Sequence, residues 1–430
     1  MGLWRRGAAV SMAAALGLMS AACGGKEQPE ANPPDRAEKT PIELVFYGGQ
    51  SNWTDEMFWA LYGNHIQKKF PHITPKFISN TKTPLKDLVA VGETIDLMLV
   101  TTSGAKDYII NYGFNTDLSA LVKEIRFDLN RFDPTIIAAQ KDMAKGGIYG
   151  IPVFVQIPIL FYNRDLFDKF GVEYPKEGQT WDETYEMARK LSRLEGGVKY
   201  YGLFTNLIFH LKTSQIPLSL VDRNSNRAVY NDDTKRVLEN FLRFFNIPGF
   251  EYVSGMNQEN MFFKDKTLAM WPHFTNLSRR IPDTLNWDAA PLPYYPEALG
   301  TAPAADPYFL FITSTSKYKK DALEVIQFLT EPEAQMELAK EGFTPIIRDQ
   351  AVQAVFGQNN KNYAGKNVSA FFPTKLAPAP AYSPYYTLAD STLNAEFNNA
   401  AQGKKDLNTA LRDYEEAANK KIAEAIALEK

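Results

Sequence analysis

The chain has 430 residues, and its 47 lysines and arginines nearly balance its 50 aspartates and glutamates. A formal net charge of −3 at pH 7 provides no basic surface for nucleic acid, so that class of partner is not expected. A single cysteine excludes an intramolecular disulfide, and the fold must be held by its core. The length exceeds what one hydrophobic core usually supports, so two domains are predicted.

Residues 1–22 have the composition of an export signal peptide. Two arginines are followed by a short apolar run and then by small residues. The run is shorter than the roughly 20 apolar residues that span a bilayer. Cys23 comes next and resembles the lipid-acceptor cysteine of a bacterial lipoprotein, with Ser20 where that pattern usually has Leu, Val or Ile. The alternative is a secretory peptide with an incidental cysteine.

Residues 23–40 are predicted to be a flexible tether behind the lipid-anchored Cys23. The segment is polar and rich in proline, and it has no large apolar side chains with which to offset the entropy of ordering. An exported, lipid-anchored chain of this kind would lie on the extracellular face of the cell membrane. That is the predicted localisation.

From Pro41 onward, predicted strands alternate with predicted helices. Apolar runs predict strands over 42–47, 73–78 and 95–100, and apolar residues at helical spacing predict a helix over 58–70. This order indicates βαβ units and a largely parallel sheet. Ligands of such sheets bind beyond the carboxyl ends of the strands.

Two small, polar loops follow the first and third of these strands. Gln50 lies in one of them and Thr102 in the other. Both loops contain glycine, and their amide and hydroxyl groups suit hydrogen bonding to a polyhydroxylated ligand. Any α/β domain has comparable loops, so this signal is weak when taken alone.

Three motifs in the middle of the chain are more specific. Residues 146–194 contain Gly-x-Tyr-Gly-x-Pro, then Tyr-Asn-x-Asp-Leu-Phe, then Thr-Trp-Asp-Glu, where Thr180 and Glu183 predict a capping box. The order resembles the family 1 extracellular solute-binding proteins of bacterial ABC importers, which mostly capture sugars and oligosaccharides. Further segments at 262–271 and 286–293 resemble the same family, and Thr330 predicts a second capping box.

The resemblance covers nearly all of residues 41–430 and implies an α/β, periplasmic-binding-protein-like fold. Two α/β lobes would be joined by a hinge, with the ligand in the interlobe cleft, and ligand binding would close the lobes. Lobe 1 is expected over 41–152 plus about 290–330, and lobe 2 over 153–289 plus about 331–430. A monomer that works with ABC permease subunits is expected.

The same resemblance places a ligand site in the cleft. Sugar recognition requires flat aromatic faces against the C–H side of the ring and planar polar groups against the hydroxyls. Trp271 falls on a cleft tryptophan of the family, although a tryptophan in an apolar segment is often a core residue. Tyr308 stands near the position of another such tryptophan, where many members have Gly-Gly-Trp. The predicted ligand contacts are Gln50, Trp53, Thr102, Tyr149, Tyr162, Trp271, Asp306, Tyr308, Tyr385 and Tyr386.

No catalytic residue, metal site or cofactor is predicted. The chain has neither a Gly-x-Ser-x-Gly nucleophile elbow nor a Gly-x-x-x-x-Gly-Lys phosphate loop. Its four histidines do not have the spacing of metal ligands. The segment 222–226 begins like a calcium loop, but Arg227 replaces the required glycine, and a turn between two short strands explains it better.

The predicted function is therefore that of a lipid-anchored solute-binding protein, which captures a sugar or oligosaccharide by hinge closure and delivers it to an ABC importer. Two alternatives remain open. A cell-surface carbohydrate-active enzyme would need two carboxylates roughly 5–10 Å apart in the cleft. The same fold could also bind a peptide or act as the partner of a sensor.

Overall fold

The computed structural model describes residues 39–50, 53–252 and 256–429. The predicted signal peptide, Cys23 and nearly all of the predicted tether lie outside the described residues. The chain from Pro41 onward forms one unit. Among the residues that the structure describes, no helix has both the length and the apolar character needed to cross a bilayer.

Strands and helices alternate along most of this unit. The strands are β1 (Ile42–Gly48), β2 (Ile73–Ser79), β3 (Leu97–Thr101), β4 (Gly150–Gln156), β5 (Pro158–Asn163), β6 (Arg193–Glu195), β7 (Val198–Leu203), β8 (Val221–Asp222), β9 (Arg227–Ala228), β10 (Leu268–Phe274), β11 (Trp287–Pro291), β12 (Asp306–Ile312) and β13 (Thr344–Pro345). The α-helices are α1 (Asp55–Phe58), α2 (Asn64–Lys69), α3 (Leu85–Ala90), α4 (Ser119–Glu124), α5 (Pro134–Met143), α6 (Arg164–Phe170), α7 (Trp181–Leu191), α8 (Leu207–Thr213), α9 (Asp232–Phe245), α10 (Gln258–Phe263), α11 (Lys319–Leu329), α12 (Pro332–Lys340), α13 (Gln350–Ala354), α14 (Tyr386–Ala401) and α15 (Leu407–Leu428). Short 3-10 or π-helical turns span Trp59–Gly63, Thr102–Gly104, Lys106–Ile110, Leu129–Arg131, Thr275–Arg280, Pro296–Ala298, Lys361–Tyr363 and Val368–Phe371.

The first lobe is built on a six-stranded sheet with the order β13-β4-β12-β3-β1-β2. β1 pairs in parallel with β2 and β3, which confirms the predicted βαβ arrangement at this edge. β12 pairs antiparallel with both β3 and β4. The sheet is therefore mixed, and the prediction of a largely parallel sheet was wrong. The reason is that β12 enters from the second lobe and runs against its neighbours.

The second lobe is built on a five-stranded sheet with the order β11-β5-β10-β7-β6. β10 pairs antiparallel with β5 and parallel with β7. Helix α7 packs on this lobe and begins with the predicted capping box, in which Thr180 and Glu183 each bond the other's backbone N–H. Helices α14 and α15 pack against each other, and α14 also contacts α8 and α9.

The chain first passes between the lobes at Ile157, because β4 ends in the first sheet at Gln156 and β5 begins in the second at Pro158. The predicted boundary at residue 152 therefore lies within β4. The second passage connects β11 to β12. The last passage follows β13. Because β13 still pairs with β4, α12 and β13 belong to the first lobe and extend it beyond the predicted limit of about residue 330.

Hydrogen bonds tie the passages together. The Ala302 N–H donates to the Lys375 carbonyl at 2.9 Å, and the Ala377 N–H donates to the Ala302 carbonyl at 2.9 Å. Around the first passage, the Thr275 N–H donates to the Ile157 carbonyl at 2.9 Å. The crossing strands thus form a single connected hinge region.

Two local predictions had opposite outcomes. Asp222 accepts hydrogen bonds from the Ser225 backbone and hydroxyl, which confirms a turn between the short strands β8 and β9.

The predicted capping box at Thr330 was wrong. The Thr330 hydroxyl donates to the Gln327 carbonyl at 2.8 Å and so completes the end of α11, while α12 begins after Glu331.

Candidate functional site

A cavity lies between the lobes, beyond the carboxyl end of β3, and its empty space together with the open solvent at its mouth is about 840 Å³. The first lobe contributes the loop after β3, the start of α5 and the start of β12. The opposite wall comes from α8 and from the segment that leads into α14. The lining residues are Thr102, Ser103, Lys106, Thr135, Ile136, Ala139, Lys212, Ala305, Asp306, Pro307, Ala377, Ala379, Pro380, Ala381, Tyr382, Ser383, Pro384, Tyr386 and Thr387.

Gln50 fixes the loop that carries Thr102 through hydrogen bonds to the neighbouring Thr101. The Gln50 amide oxygen accepts from the Thr101 N–H at 3.1 Å and from the Thr101 hydroxyl at 2.7 Å. A Cβ atom on Gly104 would overlap the Gln50 amide, so a larger residue at this position would have to displace the end of the Gln50 side chain. Gln50 therefore acts behind the cavity wall as a positioning residue for Thr102, which lines the cavity directly.

The wall opposite this loop is rich in proline. Pro378, Pro380 and Pro384 have no N–H to satisfy and restrict the backbone, so the segment can be ordered without pairing into a sheet. The Tyr382 N–H donates to Asp142 Oδ2 at 2.7 Å and fixes the middle of the segment to the end of α5.

Three polar side chains, two of them buried and Lys212 partly buried, meet on one side of the cavity. Lys212 Nζ lies 3.0 Å from Asp306 Oδ2, and the Gln156 amide donates to the same oxygen at 2.9 Å. Asp306 is 6% exposed and Gln156 is 5% exposed. The three residues come from different parts of the chain, on α8, β12 and β4. We call them the floor triad. It joins the first passage between the lobes to the second lobe.

Four buried polar atoms around the cavity have no hydrogen-bond partner within the described part of the chain. They are Gln156 Oε1, Asp390 Oδ1 and the hydroxyl oxygens of Tyr382 and Tyr386. Tyr382 and Tyr386 line the cavity, Gln156 belongs to the floor triad, and Asp390 lies one helical turn after Tyr386. Buried polar atoms are normally paired, so these four are the groups that a ligand or ordered water would satisfy.

Burial changes the ionisation of the side chains on this wall. It raises the pKa of Asp390 to about 7, against the opposing effect of Lys212. Burial, followed by the nearby Asp107 and Tyr149, raises the pKa of Tyr382 to about 12. Burial also raises the pKa of Tyr386 well above its ordinary value. Both tyrosines are therefore neutral donors at neutral pH, and Asp390 titrates near it.

Two polar bridges connect the lobes near the cavity. Lys106 Nζ lies 2.9 Å from Glu429 Oε1, and the Tyr385 hydroxyl donates to Glu429 Oε2 at 2.8 Å. These contacts lower the pKa of Glu429 below its ordinary value. In the second bridge, Arg223 Nη1 lies 2.7 Å from Asp142 Oδ1. Lys106 and Asp142 belong to the first lobe and their partners to the second, so both bridges hold the lobes together.

Only some of the residues predicted from sequence lie at this cavity. Thr102, Asp306 and Tyr386 line it. Gln50 and Tyr385 lie directly behind it through the hydrogen bonds described above.

The predicted aromatic contacts Trp53 and Tyr308 lie in a stack within the first lobe. The Trp53 ring stacks on Phe154 with centroids 5.8 Å apart, and Phe154 stacks on Tyr308 at 4.5 Å. Phe343 packs edge-on against both Trp53 and Phe154. Trp53 is only 4% exposed, so its faces are occupied by protein side chains.

Trp271 and Tyr162 are core residues of the second lobe, which corrects their predicted placement in the cleft. Trp271 is 5% exposed on β10 and packs against Phe262, Phe263 and His273. Tyr162 is 4% exposed on β5. The physical reason is that a strand between two neighbours directs alternate side chains into the helices that cover it. Tyr149 is half-buried, and its effect on the pKa of Tyr382 places it close behind the cavity wall.

Sequence reasoning missed Lys212, Gln156, Tyr382 and Asp390. Tyr382 had a detectable signal, since it lies in the same aromatic, proline-rich segment as Tyr385 and Tyr386. Lys212, Gln156 and Asp390 lie in segments whose sequence predicts an ordinary helix or strand. Only their position in space associates them with the cavity.

The described residues offer little for metal chemistry. Within those ranges, no group of three or more His, Cys, Asp or Glu side chains is arranged to hold a metal ion. Burial lowers the pKa of His210 to about 3 and that of His273 to about 4, so both rings are neutral at neutral pH. The His210 ring shares a hydrogen bond with the Thr205 hydroxyl at 2.8 Å.

Two α/β lobes, a shared hinge region and a cavity between the lobes define a protein with the periplasmic-binding-protein-like fold. The family model described as bacterial extracellular solute-binding protein matches residues 47–336. The chain belongs to this family, whose members are extracellular or periplasmic.

Several relatives and solved structures are similar to this chain. The sn-glycerol-3-phosphate-binding periplasmic protein UgpB of Brucella abortus is 24% identical over 70% of this chain and 73% of that protein. A sugar transporter structure from Rhizobium etli in an open conformation has a TM-score of 0.71 at 22% identity, covering 88% of this chain and 99% of that one. An ABC substrate-binding protein from Listeria monocytogenes in complex with cycloalternan has a TM-score of 0.69 at 19% identity, covering 90% and 100%.

Proposed function

We propose that the chain captures a sugar or a related polyhydroxylated solute between its lobes and delivers it to an ABC importer. The observation that carries this proposal is a set of buried polar atoms without a hydrogen-bond partner in the described chain. The hydroxyls of Tyr382 and Tyr386 belong to residues that line the cavity, and Gln156 Oε1 and Asp390 Oδ1 lie next to lining residues. They include both acceptors and hydroxyl groups that donate and accept. A ligand with several hydroxyls satisfies both kinds of atom at once.

The relatives support the same class of ligand. The Rhizobium etli structure is that of a sugar transporter, and the Listeria monocytogenes protein is in complex with the carbohydrate cycloalternan. UgpB is a sn-glycerol-3-phosphate-binding protein. Each of these solutes carries hydroxyl groups, which is the feature that the cavity of this chain would recognise.

Capture would proceed by closure of the lobes around the solute. The bridges Lys106–Glu429 and Asp142–Arg223 are contacts that exist only when the lobes are close together. A ligand that also contacts both lobes would favour the same state. No chemical step on the solute is proposed. Asp306 is tied to Lys212 and Gln156, which holds it as an ion-paired acceptor rather than a free acid or base.

A ligand panel tests the proposal. Purified protein is mixed with mono- and oligosaccharides and alditols, and unfolding temperature and product formation are measured together. A solute at about 100 times its Kd is expected to add roughly 2.7 kcal/mol to the free energy of unfolding. Stabilisation without product supports a receptor. Product formation would favour a carbohydrate-active enzyme, and a panel without any shift would remove sugars as the ligand class.

We further propose that Cys23 carries a lipid anchor. Replacing Cys23 by Ser in the full-length precursor is expected to release the protein from the membrane fraction, because the thioether attachment site is lost. Ligand affinity of the released protein should match that of wild type. Labelling with a fatty-acid analogue measures attachment directly, and label on the Cys23→Ser protein would contradict the assignment.

A further inference from the structure

The charged side chains that line the cavity are already neutralised in pairs. Lys212 is paired with Asp306 at 3.0 Å, with the two side chains 22% and 7% exposed. Lys106 is paired with Glu429 at 2.9 Å. No other lysine or arginine lines the cavity within the described chain. A ligand therefore meets a surface on which each positive charge is already paired with a negative one.

Recognition of a phosphate group requires a different surface. Phosphate sites use arginine or lysine side chains that are free to donate, together with backbone N–H groups. The proline-rich wall provides few backbone donors, because Pro378, Pro380 and Pro384 lack an N–H. The start of α5 is already capped, since the Asp133 side chain accepts from the Thr135 N–H at 2.9 Å.

The start of α14 is a feature of the described lining that attracts an anion. Its first residues, Tyr386 and Thr387, line the cavity, and a helix N-terminus carries about half a positive charge. Asp390 lies in the second turn of the same helix, and Asp306 lies across the cavity from it. Asp306 is paired with Lys212, so it is the Asp390 carboxyl group, when ionised, that opposes the attraction of this helix end for a phosphate.

The buried polar atoms that lack a partner in the described chain also favour a neutral ligand. Gln156 Oε1 can only accept a hydrogen bond, and so can Asp390 Oδ1 when it is ionised. A fully ionised phosphate has no proton to donate to either atom. A ligand ammonium group could donate, but it would bring an unpaired charge to a surface on which the lysines and their carboxylate partners are already paired. Neutral hydroxyl groups satisfy the acceptors without bringing another charge.

Resting on the proposed function, we infer that the floor triad makes this cavity selective for uncharged polyhydroxylated solutes and that it rejects their phosphate esters. Asp306 is the specificity-determining residue, because its carboxylate is paired with Lys212, the cation that a phosphate would need. This distinguishes the chain from its relative UgpB, whose solute is sn-glycerol 3-phosphate.

Isothermal titration calorimetry with matched solutes tests the inference. Glucose, mannitol, maltose and glycerol are each compared with their phosphate esters, including sn-glycerol 3-phosphate, and glucose also with glucosamine. A neutral solute is expected to bind at least about 100-fold more tightly than its ester, because the lining offers the ester no free lysine or arginine and its charge would be buried without a partner. An ester that binds as tightly as its parent overturns the selectivity and leaves solute capture intact. Absence of binding by every solute, in either charge state, overturns both.

Three variants assign the effect to the floor triad. Asp306→Asn frees Lys212 and is expected to reduce the preference for the neutral solute at least about tenfold. Lys212→Gln removes the cation and should leave that preference at or above the wild-type value. Glu331→Gln is the matched control, since it breaks the 2.9 Å ion pair with Arg131 inside the first lobe, away from the cavity. A preference that is unchanged in Asp306→Asn, or reduced equally in Lys212→Gln, overturns the assignment.

Discussion

At the scale of single residues, the site is marked by buried polar groups that have no hydrogen-bond partner within the described chain. The Tyr386 hydroxyl is buried at the cavity and has no partner among the described residues, while the Tyr414 hydroxyl on α15 is buried and donates to the Leu220 carbonyl at 2.9 Å. An unpaired buried hydroxyl lowers stability, and a paired one contributes to it. The two tyrosines therefore respond in opposite ways to the same substitution.

Tyr386→Phe is expected to leave the ligand-free protein as stable as wild type, or up to about 1 kcal/mol more stable, because no hydrogen bond is lost. Ligand affinity should fall about 5- to 10-fold. Tyr414→Phe is the matched control and is expected to lower the free energy of unfolding by about 1 kcal/mol without changing affinity. Denaturant unfolding and calorimetry measure both quantities. Loss of stability in Tyr386→Phe would show that its hydroxyl is paired.

Asp390 predicts a dependence of stability on pH. Its pKa is raised to about 7 in the folded protein, chiefly by burial, whereas an unfolded aspartate titrates near 3.9. Between these values the folded state binds the proton more tightly, so this group makes stability fall as pH rises from about 4 to about 7. Above that range its contribution is constant.

Asp390→Asn should therefore lose less stability than wild type between pH 4 and pH 8, with a difference of the order of 2–4 kcal/mol. Denaturant unfolding across this range measures it. Asp265→Asn, at an exposed position, serves as the control and should run parallel to wild type. Parallel curves for Asp390→Asn and wild type would show that Asp390 is ionised throughout.

At the scale of elements, the carboxyl ends of β1 and β3 form the first-lobe side of the site. They meet because the two strands pair in parallel, and Gln50 fastens one loop to the other through Thr101. The approach is so close that a Cβ atom at position 104 would displace the Gln50 amide. The position of the loop that carries Thr102 thus depends on the Gln50 side chain and on the absence of a side chain at Gly104.

Gly104→Ala is expected to displace the Gln50 amide and reduce ligand affinity about tenfold, because the loop that carries Thr102 loses its two hydrogen bonds. The fold should survive, since the displaced atoms end a flexible side chain. In a Gln50→Ala background the same substitution should have little further effect. Calorimetry on the double-mutant cycle measures the coupling, and additive losses would contradict this explanation.

At the scale of the whole molecule, the lobes are held near each other by contacts on both sides of the cavity. Lys106 reaches Glu429 at the end of α15, and Asp142 reaches Arg223 on the β8–β9 turn. Partly exposed ion pairs of this kind are each worth about 0–1 kcal/mol. Together they bias an equilibrium between open and closed lobes without locking it.

The double variant Glu429→Ala, Asp142→Ala is expected to populate more open lobes and to weaken ligand binding about 5- to 30-fold. Small-angle scattering without ligand should show a larger radius of gyration, and calorimetry gives the affinity. Glu124→Ala is the control, because it removes an exposed ion pair with Lys320 inside the first lobe. Equal affinity in the double variant and the control would show that these bridges do not bias closure.

The sequence alone determined the family, the α/β lobes and many element boundaries. These are set locally, by apolar periodicity, by the capping box at Thr180 and by motifs that lie close together in the chain. The strands predicted over 42–47 and 73–78 match β1 and β2 to within one residue at each end. The mixed direction of the first sheet was not predictable in this way, because β12 joins it only after passing through the other lobe.

The residues that face the cavity were decided by the tertiary structure. Trp271 has the composition and neighbours of a ligand contact, yet β10 is a central strand and buries it. Lys212, Asp306 and Gln156 are far apart in sequence and meet only because α8 packs against the strands that begin and end two passages between the lobes. Local patterns record which side chains are apolar or able to cap a helix. Which polar atoms are left unpaired depends on long-range packing, and that set defines the site.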